Sequence, residues 1–471
     1  MNIMFVYPNL TRQEYIPMGI AHLSSFLKAR GHKVSLIDYT WGGTIKTGLR
    51  RIEKEKPDLI GLSILSGNSR FSLELSKAIK SQTDVKIIAG GPHPTVEPED
   101  VLRTFPVDGV CVGEGEGTCL EVVERLENNL PLEGVEGFWT IQEGKVNRPP
   151  VRRLVCNLDT LPNPDRDLFD LNKYLAARNG VLDVISGRGC PYQCSYCINQ
   201  VLQDIYRGRG QFVRKRSVDN VISEIHSVMK QYNVRSIAFQ DDVFILSKSW
   251  LREFHDKYPK EIGLPYTCSA RPEQVNAETV EYLKASGCES VGIGVESGDE
   301  QIRHQILNRK LSDQDIISAY DLVNESGMGS YAFNIIGLPT EKEEHIEKTI
   351  ALNKRLKPTS LQVTIFQPFP GTKLRELVLQ KGWLAEDKDL PVSHKFYSVL
   401  KYPYISKQRI ERARLLFRYH VAKDENRMKA LSFLIFDVLF SGFTRVRNWV
   451  PIPIKTMMFK LDSFFRKTKQ M

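Results

Sequence analysis

The chain has 471 residues, 41 % hydrophobic and 26 % charged, the make-up of a soluble globular protein with room for two or three domains. Its net charge of +9 is uneven: residues 401–471 hold 16 Lys/Arg against 5 Asp/Glu, and the first 400 residues hold 49 against 51. Basicity therefore belongs to the tail, and the body makes no case for nucleic-acid binding.

Residues 2–7 open the chain as a strand rather than a leader, followed by a helix over 18–30 that Gly31 stops. Further strands are predicted at 33–38, 57–65, 85–89 and 107–112, with helices at 72–81 and 118–128. This alternation predicts a doubly wound parallel α/β sheet over residues 1–140, with ligand sites at the strand C-terminal ends. Those ends carry Asp38, Thr40 and Gly43, then Ser63 and Leu65, then Gly90 and Gly91, then Gly113 and Glu114. Residues 141–179, with Pro149-Pro150 and Leu161-Pro162-Asn163-Pro164, read as a loop-like linker.

The apolar run 181–185 reads as a short buried strand, broken into a loop by Gly187 and Gly189. Cys190, Cys194 and Cys197 follow at C-x3-C-x2-C spacing. Three thiolates on one tight loop suit three irons of a four-iron, four-sulfur cluster, whose fourth iron is left open. A structural zinc site wants four ligands in two pairs, and no second C-x2-C exists, although zinc or purely structural cysteines remain the alternative reading. The other five cysteines are scattered, as buried thiols are. With no framework pairs among them, a reducing, cytoplasmic setting is expected.

A helix over 218–231 leads to four more strand ends. Strand 236–239 ends in Asp241-Asp242, and strand 266–270 in Arg271, a guanidinium suited to a carboxylate. Strand 290–295 ends in Glu296-Ser297, and strand 331–336, which contains Asn334 and Ile336, ends in Gly337. A last strand spans 360–366. Six strand–helix units over residues 180–395 predict a partial (β/α)6 barrel. The aspartates could equally cap a helix or a solvated turn, and Glu296 could pair with a structural arginine.

The cysteine loop, with Tyr196 as the aromatic of C-x3-C-x-aromatic-C, resembles the signature of the radical S-adenosylmethionine (SAM) superfamily. The resemblance implies that Cys190, Cys194 and Cys197 hold a 4Fe-4S cluster whose open iron chelates SAM. It further implies SAM contacts from Tyr196, Asp241 or Asp242, Arg271, Glu296, Ser297, Asn334, Ile336 and Gly337. The N-terminal set is similar to the cobalamin-binding domain, whose fingerprint is D-x-H-x-x-G, S-x-L and G-G. Asp38, Gly43, Ser63, Leu65, Gly90 and Gly91 match it, and Gly113 and Glu114 extend the same face. Thr40 stands where the lower-ligand histidine belongs, so cobalamin is expected without a protein imidazole below the cobalt. The segments Gly90–Thr95 and Leu161–Arg166 are similar to those of cobalamin-dependent members of the superfamily; a degenerate flavodoxin-like domain is the alternative. His93, between two prolines, is expected to shape its loop.

The resemblance as a whole implies an enzyme that uses a radical and cobalamin to methylate a substrate carbon. Radical cyclisation or oxidative rearrangement is the second reading, and a non-catalytic corrinoid-binding sensor the third. The implied partners are a small-molecule, lipophilic substrate and an electron donor such as flavodoxin or ferredoxin. The tail, residues 396–471, reads as a basic helix over 405–428 and an apolar run over 430–443 that is too short to span a bilayer. Beyond it cations alternate with aromatic residues, as in Arg445, Arg447, Trp449 and Phe464. Peripheral contact with anionic lipid, a lid over the substrate, and a domain-capping helix pair all fit this pattern.

Overall fold

The computed structural model describes residues 1–385 and 397–441. Its first layer alternates β1 (Asn2–Tyr7), α1 (Met18–Lys28), β2 (Lys33–Asp38), α2 (Ile45–Glu55), β3 (Leu59–Ser63) and α3 (Ser69–Lys80). There follow β4 (Lys86–Gly90), α4 (Pro92–Val96), α5 (Pro98–Thr104), β5 (Gly109–Cys111), α6 (Glu116–Glu127), β6 (Phe138–Gln142) and β7 (Lys145–Asn147). The sheet order is β2-β1-β3-β4-β5-β6-β7, parallel through β5. Alternation along β1 explains the two helical layers: Ile3 and Phe5 join one core with residues of α1 and α6, Met4 and Val6 the other with residues of α2, α3 and α5.

One expectation is corrected here. The stretch after residue 134 is not all loop, because β6 and β7 extend the sheet antiparallel and α7 (Leu171–Ala177) sits in the linker. A domain boundary at residue 140 therefore falls inside β6. The interval between Gly43 and Ser63 also holds a whole helix, α2, closed by the reciprocal Thr44–Thr47 cap. Its strongly basic composition hides it from an apolar reading.

The second layer begins with β8 (Val181–Val184), β9 (Gly187–Arg188), α8 (Ile198–Ile205), β10 (Arg214–Lys215), α9 (Val218–Met229) and β11 (Ser236–Phe239). It continues with α10 (Lys248–Glu261), β12 (Tyr266–Ala270), α11 (Ala277–Ala285), β13 (Cys288–Glu296), α12 (Asp313–Glu325), β14 (Gly329–Ile336), α13 (Glu343–Leu356), β15 (Ser360–Ile365) and α14 (Lys373–Gln380). Six parallel strands in the order β15-β14-β13-β12-β11-β8 form the half-barrel, and β9 and β10 make a separate antiparallel pair.

The C-terminal α15 (Lys407–Ala422) lies against β15 and α13, covering the open sheet edge, and α16 (Arg427–Ser441) packs on α15. Trp383, Tyr402 and Tyr404 pack together, and Leu384 bridges to Leu400. The boundary expected at residue 395 lies outside the described residues. The predicted basic helix over 405–428 is α15, which ends at Ala422, and the predicted apolar run lies on α16 after a break at residues 423–426. Arg445, Arg447, Trp449 and Phe464 lie outside the described residues.

Candidate active site

β8 ends at a loop that the neighbouring elements pin on several sides. Ser195 N donates to Leu307 O (3.2 Å), Leu374 N to Ser195 O (3.2 Å), and Asn308 Nδ2 to Gln193 O (2.7 Å). Gln203 of α8 donates to the carbonyls of Cys190 (2.6 Å) and Tyr192 (3.1 Å). The three cysteines are thereby held on one loop with their sulfurs mutually repelling. Burial, then Asp242 and the other two thiols, push the Cys190 thiol up to about 11, and Cys197 is raised by the same burial and by Cys194. Three thiolates can coexist there only with added cationic charge, which is what a bound iron cluster supplies. Arg271 provides some of it, donating from Nη1 to Cys194 Sγ (3.1 Å) while its guanidinium stacks on Tyr192. The donor set fits an iron–sulfur cluster.

Asp241 and Asp242 differ in role. Asp241 is buried and accepts from Ser186 N (3.0 Å), Ser186 Oγ (2.6 Å) and Lys215 Nζ (3.1 Å), so its lone pairs fasten the cysteine loop to β10. Asp242 opens to solvent on the same side as Cys190 and Cys197, and its carboxyl is raised by desolvation and by Asp241. Of the pair, Asp242 is the accessible acceptor.

β13 ends on a bulge that re-aims Glu296, a non-glycine residue at a φ of 64°. Such a conformation costs on the order of 1 kcal/mol or more and marks functional sites. Burial raises the Glu296 carboxyl, and Arg309 Nη1, 3.5 Å from both Glu296 Oε1 and the Tyr196 hydroxyl, opposes the rise. Arg309 also donates to Gly294 O (2.8 Å), and its buried Nε has no acceptor among the described residues. The sequence reading missed Arg309 because it lies on no periodic element. The sole hint was that a buried Glu296 needs a cation. Ser297 is fully buried and closes its own turn, its Oγ accepting from Asp299 N (3.2 Å).

Asn334 and Ile336 can reach the barrel interior by backbone only. Their side chains lie on the outer face of β14, where Asn334 exchanges hydrogen bonds with Asn353 of α13 (2.7 and 3.2 Å). The alternate residues Tyr331, Phe333 and Ile335 face the interior, with Tyr331 reaching Gln362 and Phe333 lying across Gly292. Gly337, at a φ of 74°, presents backbone only, and its N–H is held by Glu341.

On the first sheet, Asp38 and Thr40 form a closed polar network with Tyr174 and Asn9. Asp38 accepts from Thr40 N (2.8 Å) and from the Tyr174 hydroxyl (2.6 Å), which also lies 3.1 Å from Thr40 Oγ1. Asn9 Nδ2 donates to Thr40 Oγ1 (2.9 Å). No imidazole stands at this position. Gly91, at a φ of 100°, could not carry a Cβ without crowding Ile64 O at 3.1 Å, and Leu65 beside it is exposed. Gly43 also has positive φ, and His93 sits 3.3 Å from Ser66 Oγ. A satisfied polar floor, a glycine cradle and an exposed leucine fit cobalamin at this face.

Gly113 and Glu114 lie in the seam between the layers. Tyr206 covers Gly113, and Glu114 pairs with Arg214 and with Arg188 (3.2 Å). Arg188 also donates to Glu116 (2.6 Å). Behind them Arg166 and Arg216 enclose the buried Glu224.

The B12 binding domain family model matches residues 10–123, and the Radical SAM superfamily model residues 184–352. An uncharacterized methyltransferase of Pyrococcus horikoshii is 32 % identical over 372 residues, covering 78 % of this chain and 79 % of that protein. This chain belongs to the cobalamin-dependent radical SAM family. As a family member it is a radical SAM enzyme whose cofactors are cobalamin, a 4Fe-4S cluster and SAM. An anaerobic magnesium-protoporphyrin IX monomethyl ester cyclase of Rubrivivax gelatinosus is 23 % identical, covering 98 % of this chain and 88 % of its own length. The fold is shared with OxsB, solved with aqua-cobalamin and SAM (TM-score 0.73, 17 % identity, 94 % of this chain and 71 % of that one). It is shared also with TsrM from Kitasatospora setae, solved with cobalamin and a [4Fe-4S] cluster (TM-score 0.69, 19 % identity, 87 % and 80 %).

Proposed function

We propose that this family member methylates an unactivated carbon of a small biosynthetic intermediate. The observation that carries the reading is the seam itself: Arg188, in the cysteine loop, is salt-bridged to Glu116 at the strand-end side of the cobalamin-binding layer. One fixed unit thus joins the thiols to the corrin cradle. When bound, the cluster supplies an electron that splits SAM into methionine and a 5'-deoxyadenosyl radical, and cobalamin supplies the methyl group.

In this proposal Cys190, Cys194 and Cys197 hold the cluster. Asp242 accepts from the methionine ammonium of SAM, while Arg271 and the unsatisfied Nε of Arg309 donate to its carboxylate. Glu296 accepts from the ribose, and Asp241 and Ser297 fix the loops around it. Gly337 approaches the adenine by backbone alone. Asp38, Thr40, Gly43, Ser63, Leu65, Gly90 and Gly91 line the corrin cradle, and Gly113 and Glu114 hold it against the barrel. Tyr331, Phe333 and Gln362 face the substrate. The substrate's identity and the electron donor, of the flavodoxin or ferredoxin class, belong to the same proposal.

The test is anaerobic reconstitution with iron, sulfide and cobalamin, followed by reductant and SAM. Methyl transfer yields both 5'-deoxyadenosine and S-adenosylhomocysteine, and Cys194→Ala yields no 5'-deoxyadenosine. Formation of 5'-deoxyadenosine alone would favour radical cyclisation. That second reading draws on the cyclase of Rubrivivax gelatinosus, whose similarity extends over 98 % of this chain.

A further inference from the structure

α15 and α16 do different jobs. α15 covers the β15 edge of the barrel, with Ile410 and Phe417 fully buried. α16 packs on α15 through Ala430 and Asp437, whose carboxylate is enclosed by Arg418 (2.8 Å) and Arg414 (3.6 Å). Its other side bears Met428, Leu431 and Ile435, exposed to 74, 46 and 51 %, with Val438 (48 %) continuing the stripe and Phe436 (39 %) beside it. Spacings of three, four and three residues put the first four on one helical face. Five of the 11 large hydrophobic residues exposed among the described residues sit on this one helix.

We propose that α16 docks the protein in the plane of an anionic lipid surface. The inference is independent of the reaction catalysed. Asp437 is the single acidic residue of α16 and it is buried, so the exposed face carries no negative charge. Arg427 and Lys429 flank the stripe, within a tail whose 16 Lys/Arg outnumber its 5 Asp/Glu. An apolar stripe edged by cations is the pattern of a helix lying at the headgroup boundary. No helix among the described residues is long and apolar enough to cross a bilayer. Pairing with a second copy would bring two tails of like charge together, which opposes it.

The full chain is to be floated with vesicles of phosphatidylcholine alone and of phosphatidylcholine mixed with phosphatidylglycerol. We expect at least about tenfold stronger partitioning onto the anionic vesicles, weakened by added salt. Leu431→Glu with Ile435→Glu should lower that partitioning at least about tenfold and leave the melting temperature unchanged, since both positions face solvent. Equal partitioning onto both vesicles, or equal partitioning of variant and parent, overturns the proposal. So does a lipid-free dimer that the double variant dissociates, which assigns the stripe to a second copy. A fall in the variant's melting temperature overturns it too, by showing that the chain itself covers the stripe.

Discussion

Arg188, two residues before Cys190, donates to Glu116 of the cobalamin-binding layer across 2.6 Å. Burial pushes the Glu116 carboxyl up, but Arg188 outweighs it and holds the group below its ordinary 4.5. Because the folded value lies below the unfolded one, the pair's stabilisation is complete above about pH 4.5 and is lost as pH falls through the folded value. Glu116→Gln should cost about 1–3 kcal/mol at neutral pH, because Arg188 loses one of its two carboxylate partners and keeps Glu114, and should flatten the acid limb of a stability–pH curve. Chemical denaturation of the parent and variant across acidic pH measures both effects.

Tyr174 reaches from the linker helix to Asp38 and Thr40, the floor of the proposed corrin cradle. Tyr174→Phe removes the donor to Asp38 and leaves a half-buried carboxylate partly unsatisfied, a loss of about 1–2 kcal/mol. Cobalamin retention after gel filtration should fall, while iron content is unchanged because the cysteine loop is not touched. If iron falls in step with cobalamin, the linker supports the whole molecule rather than the cradle.

Much of this architecture was legible in the sequence, for identifiable reasons. The parallel strands announce themselves because burial on both faces demands continuous apolar runs, and the cysteine loop because three ligands must be close in sequence to share one turn. The seam was not legible. Arg188, Glu114, Glu116 and Arg214 come from segments up to 100 residues apart, and an ion pair leaves no period in either segment. Tyr174 was hidden in the same way, as a helix of seven residues inside a proline-rich stretch. The strand of Asn334 was legible and the direction of its side chain was not, since a side chain's face follows from strand register, which only the paired structure fixes.

That last assignment has a direct check. Asn334→Ala deletes a buried exchange with Asn353 and leaves its partner unsatisfied, so stability should drop by about 1–3 kcal/mol. The affinity for SAM should stay within about twofold of the parent, because the side chain points to α13 and not to the barrel interior. Equilibrium binding of SAM to the reconstituted variant, beside its melting curve, separates the two. A large loss of SAM affinity at unchanged stability would restore Asn334 to the cofactor wall.

Glu341 closes the loop after β14 from within. Its Oε2 accepts from Gly337 N and Leu338 N (3.1 Å), and the Tyr402 hydroxyl donates to Gly337 O (3.0 Å) from the C-terminal side. Full burial raises the carboxyl from 4.5 to about 8, against the pull of the two amides. The group is therefore protonated in the folded protein at neutral pH. A folded value above the unfolded one gives stability that is fully present below pH 4.5 and lost as pH rises through about 8. The slope between those limits is about 1.4 kcal/mol per pH unit for this one group. Glu341→Gln keeps an acceptor for the amides and removes the titration. The variant should match the parent near pH 5 and melt at a higher temperature than the parent above pH 8. Because the same loop carries Gly337 at the barrel's edge, SAM affinity should follow: in the parent it should weaken as the carboxyl ionises, and in the variant it should hold constant across the same range.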